Sequence, residues 1–240
     1  MNPGRGVWAS LPLLFLLIGC GGPKAYQPKP VAKVAETTLV AATPEDLIPL
    51  REGDQWVYDV ENGTNVGKGD VPERSELTIE VERVESKGDG RVATLRVLRD
   101  GHEVDTWHWL VNAKGLFQTT GTVRGATVAY SPPQPMILFP VKEDATYGWN
   151  GKGVCPDGNP GTMKSMYKVL GVMDADTGMG KKSGIAIEST QDFTSTANKG
   201  GMASTTWYAP KIGILRIVQT TVVAKGAAIK STLRLTKAPL

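Results

Sequence analysis

The sequence predicts an all-β protein: a large curved antiparallel sheet or a partly open barrel, preceded by a signal peptide and a flexible tether. Three observations predict it. From about residue 47 onward, short runs of alternating apolar and polar residues follow one another at hairpin spacing. Turn formers separate them, and the chain carries 28 glycines and 16 prolines in 240 residues. Windows with apolar residues at three- and four-residue spacing are scarce, so no crossover helices are available to build a parallel sheet.

The chain opens with Arg5, an apolar stretch from Val7 to Ile18 and the small residue Gly19. That is the layout of a secretory signal peptide. A membrane-spanning helix needs about 20 apolar residues; this run is shorter and contains Pro12. It closes in Leu17-Ile18-Gly19-Cys20, which resembles the lipobox of bacterial lipoproteins. The resemblance implies cleavage of the signal peptide, residues 1–19, just before Cys20. It also implies a diacylglyceryl group on the Cys20 thiol, often with a further acyl chain, such as palmitate, on the new amino group. Each buried methylene is worth about 0.8 kcal/mol and a single chain binds only reversibly, so two or three chains anchor the protein effectively for good. Gly21 stands where enteric lipoproteins kept at the inner membrane usually carry Asp. The resemblance therefore implies the bacterial cell envelope, with the outer membrane favoured over the inner.

Residues 20–46, which include "GGPKAYQPKPVAKVAETTLVAATPED", carry prolines, lysines and small residues without periodicity. They read as a lipid-anchored tether, spanning roughly 25 to 30 Å as a coil and near 80 Å as polyproline II. Residues 47–240 read as a single antiparallel β domain, long enough to bury its own core.

Within that domain "LIPLREGDQWVYDVENG" sets Trp56, Tyr58 and Val60 on one face of a strand. "SELTIEVERVE", "GRVATLRVLRDG", "VDTWHWLVN", "GLFQTTG" and "ATVAYS" continue the strand pattern. "PPQPMILFP" breaks it with four prolines and reads as a crossing or edge segment. "GKGVCPDGNPG" reads as a turn-rich loop, after which "KSMYKVLGVM", "SGIAIESTQDF", "STTWYAP", "GILRIVQTTVVAK" and "AAIKSTLRLTK" resume the strands.

Two phrases of this domain, Pro49 to Tyr58 ("PLREGDQWVY") and Trp207 to Arg216 ("WYAPKIGILR"), resemble those that open and close a type of bacterial envelope protein. Gly53 turns the chain into a strand with two same-face aromatics, and Pro210 with Gly213 bends it between the last strands. A looser likeness, of fold alone, is to periplasmic lipoprotein carriers and receptors, whose curved antiparallel sheets cradle acyl chains.

Residues with catalytic potential do not assemble into a site. His102 and His108 share a strand face about 20 Å apart, too far to ligate one metal, and Asp105 points the other way. "DADTGMGKKS" lacks the third ligand and the closing glutamate of a calcium loop, and the first glycine of a phosphate loop. Asp176-Thr177-Gly178 has no second carboxylate of its kind for aspartic-protease chemistry. These residues read as a polar hairpin loop. Cys155 has no neighbouring base and reads as structurally neutral. No metal site, cofactor or catalytic activity is expected.

Trp107 and Trp109 are the candidate ligand-binding residues. They share one face of a strand whose other face, with Thr106, His108 and Leu110, is also partly apolar. Either they are core, or they line a concave pocket for a lipid or glycan. Charge is uneven: residues 1–150 hold 15 Lys and Arg against 19 Asp and Glu, whereas residues 151–240 hold 12 against 5. The basic C-terminal part suits anionic lipid or a cell-wall polymer as partner, and scattered solvated lysines explain it equally. An exported protein is not expected to bind nucleic acid. The expectation is a lipid-anchored envelope protein acting as a binding or structural module. The alternatives are a carrier of an apolar ligand, lipid or acyl chain, in a concave sheet, and an envelope hydrolase with an unrecognised site.

Overall fold

A computed structural model of the chain describes residues 43–64, 72–123, 125–224 and 228–239. The signal peptide, Cys20 and the tether up to residue 42 lie outside the described residues. A single turn of helix, α1 (Pro44–Leu47), precedes the strands β1 (Gln55–Thr64), β2 (Glu73–Lys87), β3 (Gly90–Arg99) and β4 (His102–Asn112). β5 (Gly115–Val123), β6 (Ala126–Leu138), β7 (Thr146–Val154) and β8 (Pro160–Thr177) follow. The chain ends with β9 (Gly180–Ser195), β10 (Lys199–Ala209), β11 (Gly213–Val223) and β12 (Ala228–Lys237). Each strand pairs antiparallel with the next, and β12 returns to β1 over Val57 to Thr64. The sheet thus closes into a barrel of 12 strands. Closure is the stable outcome for a sheet this wide, because it leaves no unpaired edge.

Alternation decides the two faces of the wall. Along β8, Met163, Ser165, Tyr167 and Val169 are buried, while Lys164, Met166 and Lys168 between them are exposed. Charged outer positions recur on β9, where Asp192 is exposed between buried Gln191 and Phe193. This is the reverse of a lipid-facing barrel, whose outer band is apolar.

The interior is filled unevenly. About eight strands make a barrel just wide enough for side chains to fill, and diameter grows with strand number. Here Trp56, Tyr58, Leu77, Ile79, Leu95 and Leu235 pack the side formed by β12, β1, β2 and β3, each at most 6% exposed. The other side is left less filled.

The N-terminal end of the barrel is plugged. Thr43 caps α1 by accepting from the Asp46 N–H at 3.2 Å, and Leu47, Ile48 and Leu50 are buried. The Lys211 N–H donates to the Asp46 carbonyl at 2.7 Å. α1, from Pro44, thus packs onto the barrel ahead of residue 47. The two phrases singled out in the sequence meet at this end: Trp56 Nε1 donates to the Ile212 carbonyl at 2.5 Å and the Tyr58 hydroxyl to the Ile214 carbonyl at 3.0 Å.

Two expectations are corrected. "PPQPMILFP" is not a crossing: Pro132, Pro133 and Pro135 lie inside β6, which pairs with β5 along most of its length. Prolines have no N–H to donate, and the ladder from β6 to β7 is reduced to Ser131↔Lys152. Side chains close this seam instead. Trp149 Nε1 donates to the Pro132 carbonyl at 3.2 Å, and the Tyr130 hydroxyl donates to the Val154 carbonyl at 3.1 Å. Secondly, "GKGV", read as loop, is the end of β7, a strand masked in the sequence by Gly148, Gly151 and Gly153. Gly151 and Gly153 are required by close approach, since a Cβ would run into the Trp149 ring at the first and the Tyr130 ring at the second. "DADT" likewise extends β8, with a two-residue turn at Gly178-Met179, and Asp174 accepts from the Ser183 hydroxyl across the hairpin at 2.8 Å.

Candidate functional site: a cavity inside the barrel

The less filled side, from β4 round to β11, encloses a cavity of about 380 Å³. Its floor lies toward the plugged end, where Tyr167, Ile187 and Tyr208 are buried. Its upper wall, with Asp105, Met202, Gln219 and Pro156, is more exposed and lies toward the opposite end.

Of the predicted pair, Trp107 lines the cavity, whereas Trp109 does not and is only 3% exposed. Their rings stack at 6.2 Å and 20°, so Trp109 is the packed support and Trp107 the presented face. Asp105 lies on the face of Trp107, but the extra residue in β4 that pairs Leu98 with Glu103 and Arg99 with His102 turns His102 to that face too, so the two histidines, expected to share a face, do not. Its Oδ2 accepts from Trp107 Nε1 at 2.5 Å, and its Oδ1 accepts from the Thr106 and Thr122 N–H groups at 2.7 and 3.0 Å. Both carboxylate oxygens thus accept, and Oδ2 fixes the indole. His102 is exposed, and His108 Nδ1 pairs with the Thr120 hydroxyl at 2.5 Å. Among the described residues no three His, Cys, Asp or Glu side chains come close enough to hold a metal ion.

Sequence reading missed the rest of the lining. Gln118, Gln134, Gln191 and Gln219 project from four different strands, and Ser165, Ser189, Ser204 and Thr206 add hydroxyls. Each glutamine amide is held by one donated bond: Gln118 to the Thr120 carbonyl at 3.2 Å, Gln134 to the Tyr167 hydroxyl at 3.0 Å. Gln191 donates to Ser165 Oγ at 2.9 Å and Gln219 to Thr221 Oγ1 at 3.1 Å. Tyr167 is held in place by stacking on Tyr147 at 4.8 Å. The one available signal was glutamine at inward positions of otherwise apolar strands, and without the barrel's register nothing joins them.

Cys155 lies at the rim of this cavity, 3% exposed. Burial, and secondarily the charge of Asp157, push its thiol up to about 11. At pH 7 only about one thiol in ten thousand is then ionised. The folded protein is expected to resist a thiol-reactive dye at pH 7 for hours and to label fully in denaturant; rapid stoichiometric labelling of the native form would contradict this burial. Asp157 itself ties two turns together, accepting from Ser195 Oγ at 2.7 Å and Asn198 Nδ2 at 3.1 Å. The basic residues of the C-terminal part are spread over the surface, some in pairs such as Lys168 with Asp144 at 3.3 Å and Arg234 with Glu61 at 3.3 Å.

A closed antiparallel barrel with a charged exterior, one packed flank and a polar, aromatic-lined cavity defines the class of protein. That fold is shared with a protein of solved structure from Parabacteroides distasonis, described as a "putative lipoprotein". The two are 15% identical, the match covers 80% of this chain and 97% of that one, and the TM-score is 0.51. Two more distant matches are a "putative exported protein with YmcC-like fold" from Bacteroides fragilis (13% identity, 81% and 99% of the two chains, TM-score 0.43) and the "hypothetical lipoprotein YmcC" from Escherichia coli (12%, 81% and 88%, 0.38). At these identities the likeness is one of fold, and the first match carries it. No protein-family profile matches the sequence, and no curated protein does.

Proposed function

We propose that this chain is a lipid-anchored module of the bacterial cell envelope that binds a ligand inside its barrel and catalyses no reaction. The observation that carries the reading is the polarity of the barrel: α1 packs at the plugged end, and the more exposed wall of the cavity lies toward the other. A tether attached at Cys20 joins the domain on the plugged side, away from that wall. The fold likeness to a lipoprotein agrees with this, as does the lipobox-like Leu17-Ile18-Gly19-Cys20. Gly21 favours the outer membrane as destination.

Expression of Cys20→Ser in a bacterial host tests the anchor. The variant should take up no radiolabelled palmitate and should remain an unprocessed precursor, since the thiol is the acceptor of the first lipid. Labelling at the wild-type level would refute the anchor. Native mass spectrometry of the protein released from membranes tests the cavity: a bound small molecule supports the binding role, and the hydrolase alternative requires turnover instead.

A further inference from the structure

Resting on the reading of the cavity as a binding site, we infer that its ligand is a neutral, hydroxyl-rich carbohydrate unit stacked on Trp107. Among the described residues the lining contains no Lys or Arg, and the one carboxylate among them, Asp105, already accepts from Thr106, Trp107 and Thr122. An anionic headgroup or a fatty-acid carboxylate would enter without a counter-charge, at a cost of several kcal/mol. An acyl chain would cover four glutamines and several hydroxyls without bonding any of them, and stranded polar groups are what make a polar site reject an apolar ligand.

The lining offers both donors and acceptors. Each of Gln118, Gln134, Gln191 and Gln219 commits one of its two amide N–H groups to a protein oxygen, which leaves a second N–H and the amide carbonyl for a ligand. Sugar hydroxyls, which donate and accept, suit such a mixed lining and the serine hydroxyls nearby. The Trp107 face, backed by Trp109 and pinned by Asp105, offers a flat apolar platform for the C–H face of a pyranose ring. An extended peptide also donates N–H groups, but it binds most readily by adding to an open strand edge, and the one thinly paired seam on this side, β6 to β7, is closed by Trp149 and Tyr130.

The test titrates the full mature protein with neutral di- and trisaccharides of glucose, galactose and N-acetylglucosamine, followed by tryptophan fluorescence and saturation-transfer NMR. A fluorescent fatty acid serves as the competing probe. At least one sugar should bind saturably, Trp107→Ala should weaken it at least tenfold, and Gln219→Leu should weaken it while leaving the melting temperature unchanged. Should Trp107→Ala fail to fold, Trp107→Phe and Gln219→Leu carry the test. Binding of the fatty acid with no sugar bound overturns this inference and leaves the binding module standing. Binding of neither probe, with nothing copurified, overturns both.

Discussion

Replacing Trp109 by alanine should destabilise the domain by about 3 to 5 kcal/mol, the cost of emptying a large buried ring site. That is a large share of the 5 to 15 kcal/mol typical of a folded domain, so the variant should melt far below wild type or fail to fold. Trp107→Ala should cost roughly 1 to 2 kcal/mol, because this ring is half-buried and borders a cavity instead of a packed core. The contrast between neighbours two residues apart is the result to measure, by thermal melts followed with circular dichroism. Trp109→Phe adds a second check. Trp109 Nε1 is buried without a partner among the described residues, so phenylalanine loses ring volume but removes a stranded donor, and its cost should be well below that of alanine. Equal, small losses for both alanine variants would show that neither tryptophan belongs to the core.

Trp56→Ala should be equally damaging, again about 3 to 5 kcal/mol, for a different reason. The ring is 2% exposed at the plugged end, and its N–H satisfies the Ile212 carbonyl in the turn between β10 and β11. Removing it leaves a void and an unpaired buried acceptor where the first strand is locked to the last hairpins. Tyr58→Phe removes only the bond to the Ile214 carbonyl and should cost about 1 to 2 kcal/mol. Because the two side chains reach the same turn, the double variant Trp56→Ala with Tyr58→Phe should cost less than the sum. Hydrogen exchange should show the residues around Ile212 losing protection first. Unchanged protection there would place the lock elsewhere.

Much of this protein was legible in its sequence because a strand's side-chain period is local. Alternation at Trp56, Tyr58 and Val60, and again from Met163 to Val169, fixes which side chains face inward whatever the strand's neighbours are. That was enough for an all-β class and for most strands in order. It failed where the local pattern was set by a distant contact. β7 reads as a loop because Gly151 and Gly153 sit where the rings of Trp149 and Tyr130 need room. The prolines of β6 read as a break because sequence cannot show that the seam to β7 is closed by side chains.

The site divides in the same way. Residue types alone singled out Trp107 and Trp109 as candidates. Composition could not assign the two tryptophans different roles, since both lie on one face of one strand. That difference arises from depth in the barrel: β4 runs toward the plugged end, where α1 packs against it, so Trp109 lies nearer that end and Trp107 lines the cavity. The four glutamines come from β5, β6, β9 and β11, more than 100 residues apart at the extremes. No local motif links them, because what brings them together is closure of the sheet and its register, and these are properties of the whole barrel.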